Sequence, residues 1–516
     1  MSATTHAPAR EQRDASGGLR RQALGFPTLI AQSVAVISPT MTAVLIIPLA
    51  FLDAGRGTWA AYLFGTIMLL FVVLGLNQFA RRSATAGSMY AYTARGLGPA
   101  AGVLSGWTLI WSYLFIAVAG LAGFTIFTDQ LLLALGVHTT ISPFVLFALS
   151  GLVCVTIAWK DIRLSSLLTL AFEGLSVTCI LCLAAVVLFR HGVTVDTAQL
   201  QLKGVSLKGM DFAIVICIFS LVGFESATTL DGEARGALRN VPRAVIWSLL
   251  ITGAFMVFMS YVEVYATRRY STPLGSLTAP LNTIASIYNV TFFKIPVSIG
   301  AMVSFFSLTL SCLNAGARII FPMAQRGFLP RHANRVHAAN MTPHVAIAGY
   351  GAVILGVAMV LHAAGTGPVT IFGDAGTLAA FGFLLAYFMI TIAAPFYLRK
   401  LGELRGRHIL VAVLAFACLL VPTIGSLYPA PPWPINLFPF IFLAYMLIGA
   451  TRLFVLHRRQ PGVLGAIEAD LEQALAESAH AAALSEERHR LEHAGHGVPQ
   501  ALPGARAEIA GALATE

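Results

Sequence analysis

Two acidic residues stand inside long apolar stretches of this sequence. Glu173 lies within LLTLAFEGLSV, and Glu225 lies within FSLVGFESATT. A carboxylate in hydrocarbon is costly unless it faces a water-filled cavity, meets a partner or keeps its proton. Such a group can bind an amine, exchange a proton, or link two helices as a purely structural hydrogen-bonding group. No Lys or Arg lies in either stretch, so the local sequence leaves these roles open.

Two potential helix breaks lie in the middle of apolar stretches as well. The first is Ile37-Ser38-Pro39-Thr40, in which Pro39 lacks an N–H and its ring opposes the carbonyl group four residues earlier. The second is centred on Gly223, which permits backbone conformations that other residues rarely adopt. A membrane helix is broken only where the freed backbone groups line a cavity or find internal partners. Each feature alone is also compatible with a tolerated kink.

The elements that must position these residues are membrane-spanning helices. Of the 516 residues, 57% are hydrophobic and 11% are charged, whereas about a quarter of the residues in a soluble domain are charged. Apolar stretches of about 20 residues, enough to cross a bilayer, recur along the chain, and the alternating segments of a membrane β-barrel do not occur. We therefore predict an all-α integral membrane protein. Its twelve predicted spans are 28–50, 59–79, 99–127, 142–159, 165–189, 210–230, 241–264, 294–321, 343–363, 371–398, 408–426 and 434–455.

The two breaks occupy matching positions if spans 1–5 and 6–10 are related halves, because each break then lies in the first helix of its half. Breaks at matching positions are typical of the substrate site of a secondary transporter. Freed N–H groups at such a site can face an anionic group, and freed carbonyl groups can face an amine. The repeat is inferred from the span count and the break positions, since no residue identity demonstrates it.

The distribution of charge predicts the topology. With the N-terminus placed in the cytoplasm, only a minority of the 33 Lys and Arg residues lie in outer segments, as the positive-inside rule requires. Both termini are therefore predicted to be cytoplasmic, in a cell inner membrane. The predicted domains are a tail at 1–27 without the apolar core of a signal peptide, a twelve-span domain at 28–455, and a tail at 456–516. We expect that last tail to be partly an amphipathic helix and partly disordered.

A different structure is predicted for each of three polar segments between the spans. Residues 87–98 (GSMYAYTARGLG) are predicted to form an interfacial cytoplasmic helix, and residues 270–289 are predicted to form a long outer loop with some helical content. Asp231, Glu233 and Arg235 follow span 6 and are predicted to form a solvated or gating cluster.

Metal and cofactor chemistry have little support in the sequence. Cys179 and Cys182 have CxxC spacing, but they lie among Leu, Ile and Val with no second ligand pair nearby, so we assign them to packing. No histidine joins an acid at the spacing of a catalytic motif. We therefore predict no metal, no cofactor and no enzymatic activity, and with no ATP-binding motif present we expect ion or solute gradients to supply the energy.

Three ordered segments resemble the amino acid–polyamine–organocation permeases. They are 87–107 (GSMYAYTARGLGPAAGVLSGW), 219–245 (FSLVGFESATTLDGEARGALRNVPRAV) and 317–330 (ARIIFPMAQRGFLP). The resemblance covers about residues 28–455. It implies the LeuT-type fold, which has two inverted repeats of five helices followed by two C-terminal helices.

The resemblance also implies roles for individual residues. Phe219 matches the position of an aromatic lid over the substrate, and Glu225 matches an acid of coupling or gating. Glu173 lies where many relatives have a lysine that replaces a bound sodium ion, and Ser-Pro-Thr stands where many have a glycine-rich break. The implied substrate-binding residues are Ser38, Pro39, Thr40, Phe219, Gly223, Phe224 and Glu225, and the coupling or gating residues are Glu173 and Glu225.

The favoured function is secondary transport of a small amino acid or an organic amine by alternating access, with proton-coupled symport or exchange. The expected partners are the substrate, a coupling proton and the lipid bilayer, and no nucleic acid.

Ser307 and Ser311 can line a cation site or bond their own helix backbone. A non-transporting sensor on the same fold remains an alternative because of the C-terminal tail, whereas a channel lacks its filter motif or charged ring. The identity of the substrate, the coupling ion and the oligomeric state are left open.

Overall fold

The described residues form helices joined by turns and loops. A computed structural model describes residues 24–83, 89–160, 162–190, 195–428 and 431–459, with single positions at 462, 465 and 469. The predicted N-terminal tail up to residue 23 and the predicted amphipathic and disordered parts of the C-terminal tail lie outside the described residues. The α-helices in chain order are α1 (Phe26–Ile37), α2 (Pro39–Met41), α3 (Ile47–Ala54), α4 (Thr58–Ala80), α5 (Met89–Leu97), α6 (Pro99–Ala134), α7 (Pro143–Lys160), α8 (Ile162–Arg190), α9 (Thr197–Leu200), α10 (Leu207–Leu221), α11 (Ala237–Thr267), α12 (Pro280–Ile287), α13 (Lys294–Gln325), α14 (His344–Ala363), α15 (Pro368–Lys400), α16 (Gly406–Leu427) and α17 (Phe438–Arg459).

Eleven helical stretches in the described part of the chain are long and apolar enough to cross a membrane. The protein is therefore a multi-pass, all-helical membrane protein, as predicted. The first stretch, Phe26–Ala80, has 55 residues, which would extend roughly 80 Å as one straight helix, more than twice the hydrocarbon thickness. A 3₁₀ turn at Gly55–Gly57 divides it, with Gly55 at a φ of 52°. The count of twelve spans depends on this stretch crossing twice and stays a prediction.

Helices α6 and α13 form the centre of the bundle and approach each other through small residues. A Cβ atom at Gly120 of α6 would overlap the Thr309 hydroxyl and lie 3.1 Å from the carbonyl oxygen of Phe305. A Cβ at Gly123 would overlap the ring of Phe305. Glycine at these positions lets two membrane helices pack at close range, where dispersion contacts stabilise their association. Helices α8, α14 and α15 pack against this pair.

Helix α15 packs on another side of α6. The indole N–H of Trp111 donates to the carbonyl oxygen of Leu378 at 2.7 Å, and the Thr108 hydroxyl donates to that of Gly382 at 3.2 Å. A Cβ at Gly382 would overlap the Ser112 hydroxyl. These contacts fix the depth of α15 relative to α6, and both helices carry tyrosines of the candidate site.

A buried polar network lies at the end of the 3₁₀ helix Phe224–Glu233, which follows α10. Glu233 pairs with Arg318 of α13 at 2.6 Å, with both side chains buried, and Tyr92 of α5 donates to Asp231. The prediction of a solvated cluster is wrong for Asp231 and Glu233 because α5 and α13 cover them. Only Arg235 is exposed.

Helix α5 confirms the helix predicted within 87–98, of which positions 87 and 88 lie outside the described residues. Its residues from Met89 to Ala94 are buried, mainly against α6 and α15. Its location at the membrane interface stays a prediction. The predicted helical content of the 270–289 loop is present as the 3₁₀ turn Leu274–Ser276 and α12.

The buried ion pair should be far more sensitive to mutation than an exposed one. Arg318→Met leaves the Glu233 carboxylate buried without its partner and should cost about 3–5 kcal/mol of stability. Arg82→Gln breaks a pair with Glu403 of the same 2.6 Å length, but its side chains are 28% and 53% exposed, so it should cost less than about 1 kcal/mol. Thermal unfolding midpoints of the purified protein in detergent measure the difference.

The double variant Glu233→Leu/Arg318→Met is the control for the burial argument. It removes both charges together and should recover most of the loss. Equal losses for Arg318→Met and Arg82→Gln would contradict the prediction.

Candidate functional site at two interrupted helices

The first interruption, here called the Ser38 break, ends α1. Ser38 adopts a left-handed conformation with φ 49° and ψ 75°, which is uncommon and strained for a residue other than glycine. Its N–H still donates to the carbonyl of Val34 at 2.8 Å. Pro39 has no N–H for the carbonyl of Ala35. The chain then continues as α2 and the π-helical turn Thr42–Ile46, so the predicted break is present.

The second interruption, here called the Gly223 break, ends α10. Val222 is extended and Gly223 has a φ of 101°, after which the chain continues as the 3₁₀ helix Phe224–Glu233. A Cβ atom at Gly223 would overlap Cγ1 of Val36 and lie 3.3 Å from the carbonyl carbon of that residue. Both the positive φ and this close approach require glycine. The two breaks therefore lie against each other.

Hydrogen bonds join α1 to the segment after the Gly223 break. The Ser33 hydroxyl donates to the carbonyl oxygen of Phe224 at 2.7 Å and accepts the N–H of Ala227 at 3.0 Å. The Ser226 hydroxyl donates to the carbonyl of Gln32 at 3.3 Å. Backbone groups that the break releases are thus satisfied by a neighbouring helix, as the membrane interior requires.

Glu173 of α8 lies directly at the Ser38 break. Its Oε1 accepts the Thr40 N–H at 3.2 Å and lies 3.0 Å from the Thr40 hydroxyl oxygen. Its Oε2 accepts the Ser304 hydroxyl of α13, and the Ser304 oxygen lies 3.2 Å from that of Ser38. The carboxylate therefore takes up a backbone N–H that the break frees from the helix.

The hydroxyl groups around Glu173 can serve two protonation states. The Thr40 hydroxyl also lies 2.8 Å from the Ser176 hydroxyl. Each hydroxyl can donate to a carboxylate or accept from a carboxylic acid, whereas the backbone N–H can only donate. These hydroxyl groups can therefore accommodate either protonation state of Glu173 by rotation of their O–H bonds.

Glu225 lies at the Gly223 break between two tyrosines. Tyr113 of α6 donates to Oε1 at 2.7 Å, and Tyr387 of α15 donates to Oε2 at 2.5 Å. The Tyr387 oxygen also accepts the N–H of Gly223 at 3.1 Å, and the Phe224 ring stacks on Tyr387 at 5.0 Å between centroids. The conformation of the break is thereby connected to the Glu225 carboxylate through one phenol.

The remaining predicted residues have different surroundings. Phe219 is half-buried in the last turn of α10 and packs against the core. Ser307 donates to the carbonyl of Thr169 in α8 at 3.3 Å, so it bonds a neighbouring helix and not its own. The Ser311 hydroxyl is buried without a partner among the described residues.

The site is closed to solvent in this conformation. Ser38, Thr40 and Glu225 are fully buried, and Glu173 is 3% exposed. Among the described residues there is no cluster of three or more His, Cys, Asp or Glu side chains that could hold a metal ion.

Sequence reasoning missed three residues of interest. Tyr113 and Tyr387 lie in apolar spans. A buried tyrosine hydroxyl needs a hydrogen-bond partner, and this requirement could have marked both residues as candidate partners of a buried acid. Glu263 of α11 is fully buried, and neither of its carboxylate oxygens has a hydrogen-bond partner in the described part of the chain. The same rule that selected Glu173, an acid within an apolar stretch, would have selected Glu263.

Comparison with known proteins identifies the family. The family model described as amino acid permease matches residues 30–452. The chain belongs to the amino acid permease family. The expected relationship to this superfamily is confirmed, and the protein is a permease and not an enzyme.

Curated relatives of this permease carry amino acid and amine names. The chain is 22% identical over 428 residues to the branched-chain amino acid permease BcaP of Bacillus subtilis, covering 78% of this chain and 83% of that protein. It is 24% identical over 306 residues to the low-affinity putrescine importer PlaP of Escherichia coli, covering 57% of this chain and 65% of that protein.

Substitution at Gly223 should disturb the site through the backbone. Gly223→Ala should lower the stability of the permease by about 1–3 kcal/mol, because alanine is strained at positive φ and its Cβ meets Val36. Gly376→Ala in α15 is the matched control, since nothing lies within 4 Å of a Cβ there and its φ is not positive. Thermal unfolding midpoints provide the measurement.

Combining Gly223→Ala with Val36→Ala separates the two causes. The second substitution relieves the overlap with Cγ1 of Val36 and leaves the strained φ, so it should restore part of the loss. If Gly223→Ala is tolerated as well as Gly376→Ala, glycine is not required at the break.

Proposed function

We propose that this permease is a secondary active transporter of a small amino acid or an organic amine. One observation carries the proposal: each interrupted helix has a buried carboxylate at its break, Glu173 at Ser38 and Glu225 at Gly223. Carboxylates and freed carbonyl groups suit an ammonium group, which amino acids and polyamines share. The names of BcaP and PlaP support the same range of substrates.

The proposed architecture has twelve spans. Phe26–Ala80 then crosses the membrane twice, α1 and α10 each begin one of two inverted five-helix repeats, and α16 and α17 are the two extra helices. The transporter domain is 28–455, with cytoplasmic tails at 1–27 and 456–516. The Lys and Arg distribution supports cytoplasmic termini in a cell inner membrane.

The hydrogen bonds at the Ser38 break bear on how a substrate binds. The Ser38 N–H donates to Val34, the Thr40 N–H donates to Glu173, and the Met41 N–H donates to the Ser38 hydroxyl at 3.3 Å. A substrate carboxylate must therefore displace one of these acceptors. If it takes the Thr40 N–H, the charged form of Glu173 loses a donor, and substrate binding becomes coupled to proton uptake.

We assign the two acids different roles. Glu173 is the proton carrier, because its hydroxyl neighbours serve both protonation states and its Thr40 bond competes with substrate. Glu225 senses the substrate or the gate, because Tyr387 connects it to the backbone of the Gly223 break. Phe219 covers the bound substrate as an aromatic lid.

Uptake into proteoliposomes tests the proposed function. Radiolabelled leucine and putrescine should each be offered with and without an imposed proton gradient, and with unlabelled substrate inside the vesicles. Saturable uptake that internal substrate accelerates supports a transporter. Binding without uptake would favour the sensor, and uptake that internal substrate leaves unchanged would favour a channel.

Glu173→Gln should separate transport from proton coupling. The amide keeps the shape of the side chain and cannot release a proton, so accumulation driven by an imposed pH gradient should fall to simple equilibration. Exchange of internal for external substrate should remain. Asp211→Asn, an exposed acid in the first turns of α10, is the control and should keep both activities. If Glu173→Gln still accumulates substrate with protons, Glu225 becomes the candidate proton carrier.

Phe219→Ala should weaken substrate binding. Loss of an aromatic contact with the substrate should lower affinity roughly tenfold, which corresponds to about 1.4 kcal/mol. Phe292→Ala, at a position 67% exposed, is the control and should leave affinity unchanged. Thermal-shift titration with leucine, valine and putrescine measures the affinity. Stabilisation by sugars or inorganic anions alone would contradict the proposed substrate class.

A further inference from the structure

A cavity of about 680 Å³ lies between α4, α15 and α16, away from the interrupted helices. It is open at the end of the bundle where α4 ends and α16 begins, which the charge distribution predicts to be cytoplasmic. Phe71, Leu74 and Leu398 line its apolar part. Its charged wall consists of Arg81, Arg82, Glu403, Arg405, Arg407 and His408.

The charged wall has a surplus of guanidinium groups. Arg82 is occupied, since it pairs with Glu403 at 2.6 Å and donates to the Gln78 carbonyl at 2.7 Å. Arg81, Arg405 and Arg407 have no carboxylate within salt-bridge distance among the described residues. A guanidinium group matches the geometry of phosphate oxygens, and it is more weakly hydrated than an ammonium group, so it loses less hydration on binding.

A second, apolar cavity of about 360 Å³ adjoins the first. The two share Thr391, Pro395 and Ala412, and every other residue lining the second is apolar. Phe396 and Val413 in its wall are 50% and 59% exposed, so this groove faces the region of lipid chains. A phosphate-binding wall thus continues directly into a groove for hydrocarbon.

Thr391 lies where the two cavities meet. Its side chain is 3% exposed, and its hydroxyl has no partner among the described residues. A threonine hydroxyl in a membrane helix ordinarily donates to its own backbone, and a buried polar group without a partner is costly. An acceptor on a ligand that runs from the charged wall into the groove would satisfy this hydroxyl.

We propose that the paired cavity binds an anionic phospholipid. Arg81, Arg405 and Arg407 take the phosphate, Thr391 donates to an ester oxygen, and an acyl chain lies in the groove between α15 and α16. Basic pockets between membrane helices on the cytoplasmic side suit such headgroups. A free phosphate would satisfy only the charged wall, whereas a lipid satisfies the wall, the Thr391 hydroxyl and the groove.

An occupied cavity would act on the transport site through α15. Thr391 lies one helical turn after Tyr387, which bonds both Glu225 and the Gly223 N–H. The lipid also joins α16 to α4 and α15, so it stabilises the position of Tyr387. Transport activity should therefore be higher in vesicles that contain an anionic phospholipid than in phosphatidylcholine alone.

The test uses the full chain, purified, delipidated and titrated with three probes. The probes are phosphatidylglycerol, phosphatidylcholine and glycerol phosphate, with lipid retention followed by native mass spectrometry and stability by thermal shift. Phosphatidylglycerol should be retained and should raise the unfolding midpoint, whereas the other two should have little effect. Arg405→Gln/Arg407→Gln should weaken phosphatidylglycerol binding by about tenfold or more, because both arginines attract the anionic headgroup.

Two variants complete the design. Arg331→Gln/Arg335→Gln makes the same change of charge at exposed positions on the same predicted face and should leave binding unchanged. Val413→Trp fills the groove without altering a charge and should also weaken phosphatidylglycerol binding, which covers the case that the arginine variant fails to fold.

Three results would overturn the proposal. Equal retention of phosphatidylglycerol and phosphatidylcholine would remove the role of the arginines. An effect of glycerol phosphate equal to that of phosphatidylglycerol would indicate a site for soluble anions. Unchanged binding in both Arg405→Gln/Arg407→Gln and Val413→Trp would place any bound lipid elsewhere on the protein.

Discussion

The structure depends on one constraint: inside a membrane, every backbone group that a broken helix releases must find a partner within the protein. At the Ser38 break the partner of the Thr40 N–H is Glu173, and at the Gly223 break the partner of the glycine N–H is Tyr387. Ser33 satisfies further groups between the two segments. The packing of α8 and α15 against the broken helices holds these partners at hydrogen-bonding distance.

The same constraint connects structure to transport. A substrate that enters the site must compete for donors and acceptors that already have partners, so its binding changes the bonds that hold the breaks. A ligand shifts a conformational equilibrium only if its interaction free energy differs between the two conformations. The exchange of these hydrogen bonds provides such a difference. In the proposed mechanism, Glu173 and Glu225 are both structural elements of the closed site and groups that bind a proton or an amine.

Other charged groups of the protein differ in whether they are buried and in whether they have a partner of opposite charge. Glu233 and Arg318 bury their charges together, and this pair joins α13 to the 3₁₀ helix that follows the Gly223 break. Arg405 and Arg407, at the start of α16, remain exposed, and in the proposed lipid site they bind the phosphate. Glu263 has neither arrangement, because its buried carboxylate oxygens have no hydrogen-bond partner within the described residues.

The sequence alone determined the class of protein, the positions of both breaks and two of the buried acids, because apolar length, a missing proline N–H and the freedom of glycine are local properties. The sequence alone could not determine which residues pair with the buried acids. Glu173 meets Thr40 across 133 residues, Glu225 meets Tyr387 across 162, and Glu233 meets Arg318 across 85. Only helix packing decided these pairs, and for this reason Asp231 and Glu233 were expected in solvent but are buried.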